Sequence, residues 1–133
     1  MSSYEAKVLQ ILKKYGIRFE REKSFSDLRG GRFRYDFYIS NIRGRQVVIE
    51  VQGEQHYVQN GKFHKSKVDF THGQENDRRK ISYALSKGIL IYIIPYWEIE
   101  NLKTIYDVLN PKFMARDRWK NDNDWRAHKN GMY

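Results

Sequence analysis

Apolar positions at helical spacing open the chain. Val8, Leu9, Ile11, Leu12 and Tyr15 share one face and predict a helix over 3–15. Ser2 and Glu5 have the S-x-x-E spacing of a capping box, and Gly16 stands where a left-handed stop belongs. The period then falls to two. Ile17, Phe19 and Phe25 occupy odd positions between charges, which predicts extended chain over 17–25. Residues 26–32, with Gly30-Gly31, read as a polar turn. Rings alternate with polar groups over 33–39, predicting a strand. After a short turn over 40–45, the β-branched run Val47-Val48-Ile49-Glu50-Val51 predicts a central strand over 46–52. Two strands so closely joined form an antiparallel hairpin.

The second half repeats the alternation of long elements. Residues 54–72 are polar, basic and aromatic, and read as a long loop carrying His56, His64 and His72. A second long helix is predicted over 74–87, with Ile81, Ala84 and Leu85 inward and Gly88 as its stop. Residues 89–94 are apolar on both faces and predict a buried strand ended by Pro95. A short amphipathic helix is predicted over 100–109. The order α-β-β-β-α-β predicts an α/β fold whose mixed central sheet is flanked by helices. The domain spans 1–110. Residues 111–133 carry few aliphatics and many basic and aromatic groups, and read as a C-terminal extension.

Composition changes the picture in one direction. The 133 residues hold 25 Lys+Arg against 16 Asp+Glu, a formal charge of +9. The mean hydropathy is −0.83 and the sequence pI about 9.7. Aromatics nevertheless reach 15%, which a disordered chain rarely does. A folded chain this basic is expected to meet a polyanion, nucleic acid foremost. The absence of cysteine excludes disulfide scaffolds, Cys-type zinc fingers and thiol nucleophiles. No apolar run approaches the roughly 18 residues of a membrane span, so no membrane partner is expected. Residues 1–5 lack the basic-then-apolar layout of a secretion signal, which makes the cytoplasm the expected location.

The chemistry collects on the predicted hairpin. Glu50 and Gln52 are two apart and leave the same face of their strand. A carboxylate among β-branched residues is costly unless it is paired or binds a metal. Asp36, on the neighbouring strand, reaches the same space. Two carboxylates on adjacent strands suit a hard cation such as Mg²⁺, which keeps waters and contacts a phosphate. In a basic protein that phosphate belongs to nucleic acid, and the reaction that follows is metal-assisted phosphodiester hydrolysis. Glu20 and Glu22 share a strand face and border this region, although solvation accounts for them equally well.

Asp36, thirteen intervening residues and then Glu50-x-Gln52, in an αβββαβ order, resemble the PD-(D/E)XK nucleases. Arg34-Tyr35-Asp36-Phe37-Tyr38 and the string from Val48 to His56 resemble the branch of very-short-patch-repair-like and phage-type EDxHD homing endonucleases. The resemblance covers residues 3–98. It implies a restriction-endonuclease-like core and a Mg²⁺- or Mn²⁺-dependent DNA endonuclease of a phage or mobile element. It also implies roles. Asp36 and Glu50 would hold the metal with the carbonyl of Val51, and His56 would orient or deprotonate the attacking water. Glu5 matches an acidic residue that points into the site from the first helix. Asp77 and Lys80 match a recurring pattern on the second. The sequence departs from the pattern at Gln52, where a lysine is usual. Either His56 performs the proton work or Lys80 is a relocated lysine. If neither does, the fold is a nucleic-acid-binding module without activity.

Basic groups surround these candidates. Arg29, Arg32 and Arg34 flank the Gly30-Gly31 turn, Lys62, Lys65 and Lys67 interleave with Phe63 and Phe70, and Arg78 and Arg79 precede Lys80. The extension holds Arg116, Arg118, Trp119, Lys120, Trp125 and Arg126, cations beside rings that could stack on bases. Each is individually an ordinary surface charge, and together they supply a phosphate-neutralising term for DNA. A packing arm, a homodimer contact and a dock for a larger phage protein are the alternatives for the extension. One site in one domain is compatible with nicking or with double-strand cutting by a homodimer.

Overall fold

A computed structural model describes residues 2–54 and 67–115, with side chains left aside at 67–72 and 74. The first helix, α1, is Ser3–Lys14. It ends as the sequence predicts. Gly16 turns left-handed at φ 66°, its N–H donates to the Lys13 carbonyl, and the Ile17 N–H donates to Leu12. This is a Schellman stop, which needs a residue free of Cβ strain at its turning point. It also enlists Ile17 in the cap, so β1 is only Glu20–Ser24, shorter than the predicted 17–25.

β2 (Arg34–Ile42) and β3 (Arg45–Gln52) form the predicted hairpin. Its turn is tighter than expected: Arg43 and Gly44 alone connect the strands, both at positive φ (52° and 78°). That two-residue geometry matches the right-handed twist of the flanking strands. The Asn41 side chain accepts the Gly44 N–H at 2.9 Å.

Helix α2 is Lys67–Ser86, which corrects the loop predicted over 54–72. His72 lies in this helix. Polar residues around Gly73 conceal its first two turns, because a helical glycine costs only about 1 kcal/mol and does not break the run. At the far end Gly88 (φ 69°) repeats the stop of α1, with the Ile89 N–H donating to Ala84 at 2.9 Å. β4, Leu90–Pro95, follows.

The strands lie in the order β1-β2-β3-β4. The first two pairings are antiparallel and β3–β4 is parallel, so the protein is a mixed α/β fold with a four-stranded mixed sheet and helices on it. Alternate residues of β3 and β4 feed two cores. Val47, Ile49, Val51, Tyr92 and Ile94 pack with Val8, Ile11 and Leu12 of α1. Val48, Ile91 and Ile93 pack with Ile81 and Ala84 of α2. The apolar run of β4 is thus explained by cover on both faces.

Two predictions near the C-terminus change. The helix over 100–109 is instead a 3₁₀ segment, Tyr96–Asn101, and a single turn α3, Ile105–Val108. Thr104 restarts the chain as an N-cap, since its hydroxyl accepts the Asp107 N–H and the Asp107 carboxylate accepts the Thr104 N–H at 2.9 Å. Of residues 111–115, read as part of the extension, Phe113 and Ala115 are buried in the core. Phe113 is 1% exposed, Met114 bridges Tyr92, and the Ala115 N–H donates to the Ile91 carbonyl at 2.9 Å. They lie along the outer edge of β4. Among the described residues, no helix is long and apolar enough to cross a membrane.

Candidate active site

The hairpin register runs regularly through Ile39–Val47, Tyr38–Val48 and Phe37–Ile49. At the next position the two strands bond through side chains. The Asp36 N–H donates to Glu50 Oε1 at 3.3 Å, and the Val51 N–H donates to Asp36 Oδ2 at 2.8 Å. Each carboxylate therefore takes a backbone donor from the opposite strand. This reciprocal bonding fixes both side chains at the end of the sheet where β3 and β4 finish.

Glu50 is 6% exposed. A charge so placed needs a partner, and α2 supplies one. Lys80 Nζ lies 2.6 Å from Glu50 Oε1 and also donates to the Arg34 carbonyl. The Tyr35 ring lies under the ammonium, 5.1 Å from Nζ to the ring centroid. The Tyr35 hydroxyl donates to the Lys80 carbonyl at 2.6 Å. Burial alone would lower the Lys80 ammonium, but the Glu50 carboxylate, with Asp77 and Asp36 behind it, holds it above the usual lysine range. Burial and then the Glu50 charge push the Tyr35 hydroxyl well above the usual tyrosine range.

Asp36 is strongly perturbed. Burial first, then the Glu50 charge, pushes it up to about 8, with Glu5 adding repulsion and the Val51 N–H and Lys80 opposing. Glu5 comes from α1. The capping box there is half made: Ser2 Oγ accepts the Glu5 N–H at 3.1 Å, but the Glu5 carboxylate turns to Arg21, 3.1 Å away. Carboxylate oxygens of Glu5, Glu22 and Asp36 lie within 4.8 Å of one another. Glu22 lies across from Asp36, between the paired positions Arg21–Phe37 and Lys23–Tyr35. It holds φ at 54°, strained for a residue with a side chain. Glu20 points elsewhere and pairs with Lys23 at 3.7 Å.

The fold thus brings Glu5, Asp36, Glu50 and Lys80 together from four elements. Gln52 and Asp77 are buried beside them, at 1% and 6% exposure. Arg21 is the addition that sequence reasoning missed. It bridges Glu5 and, at 4.0 Å, Glu22. Its signal lay in strand pairing: a cation one residue before the position facing Asp36. Arg29, Arg32 and Arg34 are exposed beside β2, with Arg29 over the Phe33 ring. Arg78 is half-buried, and Arg79 is paired along the helix with Glu75 at 2.9 Å. Lys67 is the first residue of α2. His56, His64, Lys62, Lys65, Arg116, Arg118, Trp119, Lys120, Trp125 and Arg126 lie outside the described residues.

The donor set tests the metal expectation. Glu5, Glu22 and Asp36 offer hard oxygen atoms within 4.8 Å of one another, the chemistry that Mg²⁺ or Mn²⁺ takes, while Glu50, paired with Lys80 and the Asp36 N–H, lies outside that group. The like charge that raises Asp36 is what a divalent cation neutralises. The residues therefore fit such an ion. No protein-family model matches the chain, and neither a curated protein nor a solved structure matches it.

Proposed function

We propose that the protein is a Mg²⁺- or Mn²⁺-dependent DNA endonuclease with a restriction-endonuclease-like core, of the PD-(D/E)XK type and its phage-type EDxHD branch. One observation carries the reading. Asp36 and Glu50 are interlocked across β2 and β3, and the Lys80 ammonium sits 2.6 Å from Glu50. The lysine that the pattern expects at Gln52 is thereby supplied from α2.

Asp36 and Glu50, with the Val51 carbonyl, would hold the ion, and Glu5 would add charge from α1. Bound there, the ion supplies polarisation of the scissile phosphate. Lys80 keeps a fixed positive charge where negative charge develops, a role that neutral Gln52 cannot fill. The Tyr35 ring and the Arg34 carbonyl hold that ammonium in place. The exposed Arg29, Arg32 and Arg34 would bind the phosphates beside the cut.

The test is plasmid nicking in Mg²⁺ with Asp36→Ala, Glu50→Ala and Lys80→Ala proteins. Each is expected to lose nicking, and undiminished nicking by both carboxylate variants sinks the reading. The Lys80–Glu50 ion pair also favours a second reading, a DNA-binding module in which this pair is only structural. That reading expects salt-sensitive DNA binding, no metal-dependent cleavage, and binding indifferent to both carboxylates.

A further inference from the structure

Beside the carboxylates, α1 carries a second pattern. Tyr4, Lys7, Ile11 and Lys14 recur at three- and four-residue steps and form one stripe. Ile11 is buried, while Tyr4 is 37% exposed. Two adjoining grooves follow this stripe and share Lys7. The first, of about 450 Å³, is lined by Tyr4, Lys7, Tyr96, Trp97 and Glu100. The second, of about 390 Å³, is lined by Lys7, Gln10, Lys14 and Lys103.

The two grooves differ in chemistry. The first is aromatic, with Tyr4 exposed and Tyr96 and Trp97 half-buried against the core beneath α2. The Tyr4 and Tyr96 centroids are 6.3 Å apart, and Trp97 stands edge-on to Tyr96 at 5.1 Å. The second is cationic. Lys7, Lys14 and Lys103 form no ion pair among the described residues, although Lys103 lies in the field of Asp107. The aromatic end abuts the site: Tyr4 precedes Glu5, and Tyr96 follows Pro95, which pairs with Gln52. From Lys7 to Lys14 the helix rises about 10 Å, so the cations are spread along a line rather than gathered at one point.

We infer that this stripe is a track for an unpaired DNA strand leaving the cleavage site, with bases stacked at Tyr4, Tyr96 and Trp97 and phosphates on Lys7, Lys14 and Lys103. The inference rests on the endonuclease reading and names its substrate class: DNA with a single-stranded branch or flap. Stacking requires a base freed from its pair, which a blunt duplex does not offer. The lysines match the phosphates that continue from those bases.

The experiment measures fluorescence anisotropy of the full chain, made non-cutting by Asp36→Asn. The probes are a blunt duplex and the same duplex with an unpaired arm, at several salt concentrations. Adding Lys7→Ala, Lys14→Ala and Lys103→Ala together is expected to weaken binding of the armed duplex at least tenfold. The salt slope on that probe should fall by about 2, the single-strand value for three phosphates. Tyr4→Ala is expected to weaken the armed duplex about tenfold, and the blunt duplex less. Circular dichroism melts establish that the variants fold. Unchanged affinity for the armed duplex overturns the track. Equal losses on both probes overturn the unpaired strand as its occupant. Nicking by both Asp36→Ala and Glu50→Ala that matches wild type overturns the endonuclease reading separately, whatever the binding data show.

Discussion

The two ends of the sheet are built by opposite rules. At the hairpin end, local chemistry closes everything: Arg43 and Gly44 make the turn, Asn41 caps it, and mainly apolar side chains surround a cavity of about 560 Å³. At the other end, Asp36 and Glu50 replace ladder bonds with carboxylates, Lys80 offsets the charge of Glu50, and Arg21 offsets that of Glu5 and Glu22. The hairpin end is optimised for folding. The carboxylate end concentrates buried like charge, a cost that the hairpin end does not carry. The difference teaches where to look for function. This cavity lies away from the strongly perturbed Asp36 and Tyr35, and the perturbed groups are the better guide.

The largest expected effect breaks the contrast outright. Asp36→Ala or Glu50→Ala should lower nicking about a thousandfold, as loss of several kcal/mol of transition-state stabilisation implies. Tyr106→Ala, at the hairpin end and 70% exposed, should leave nicking within twofold. Equal losses at both ends refute the division.

Next in size is Lys80→Ala, which leaves the Glu50 carboxylate buried and unpaired. Removing one partner of a buried pair costs about 3–5 kcal/mol. Urea midpoints should show a loss of this order, and a loss below 1 kcal/mol means that Glu50 finds solvent. Lys80→Arg, which keeps the charge, should restore most of the stability.

Asp36→Asn sharpens the comparison by sign. The Asp36 carboxyl rises from its ordinary 3.8 to about 8. Its contribution to stability is present below pH 4 and is lost as pH rises toward and through 8. In chelator, the asparagine variant escapes that loss and should be more stable than wild type at pH 8, by on the order of a few kcal/mol. At pH 4 the two should converge. Parallel curves across this window contradict the buried-charge account. The smallest effect belongs to the turn: Arg43→Asn, at a position with φ 52°, should raise stability by about 0.5 kcal/mol without altering cleavage.

Much of this was legible in the sequence, because spacing reports local structure. The stop glycines, the hairpin and the sequence of elements along the chain follow from period and turn chemistry alone. Asp36, Glu50 and Lys80 stood out because carboxylates in a β-branched setting demand partners. What stayed hidden was non-local or counter to composition. Whether Arg21 or Glu22 faces Asp36 depends on strand register and on one strained φ. The polar run before Gln74 disguised the start of α2, and Thr104-x-x-Asp107 went unread as a capping box within a predicted helix. Phe113 joined the core despite its sparse aliphatic neighbourhood.

The position of Lys80 has a further consequence. A lysine on β3 would be held by the sheet itself. On α2, its ammonium depends on how Ile81 and Ala84 seat that helix against Val48 and Ile93. Substitutions deep in this core, remote from any phosphate, would displace the charge by fractions of an ångström. The chemistry would then fail at temperatures where the fold still stands, a heat sensitivity of activity that melting curves alone would miss.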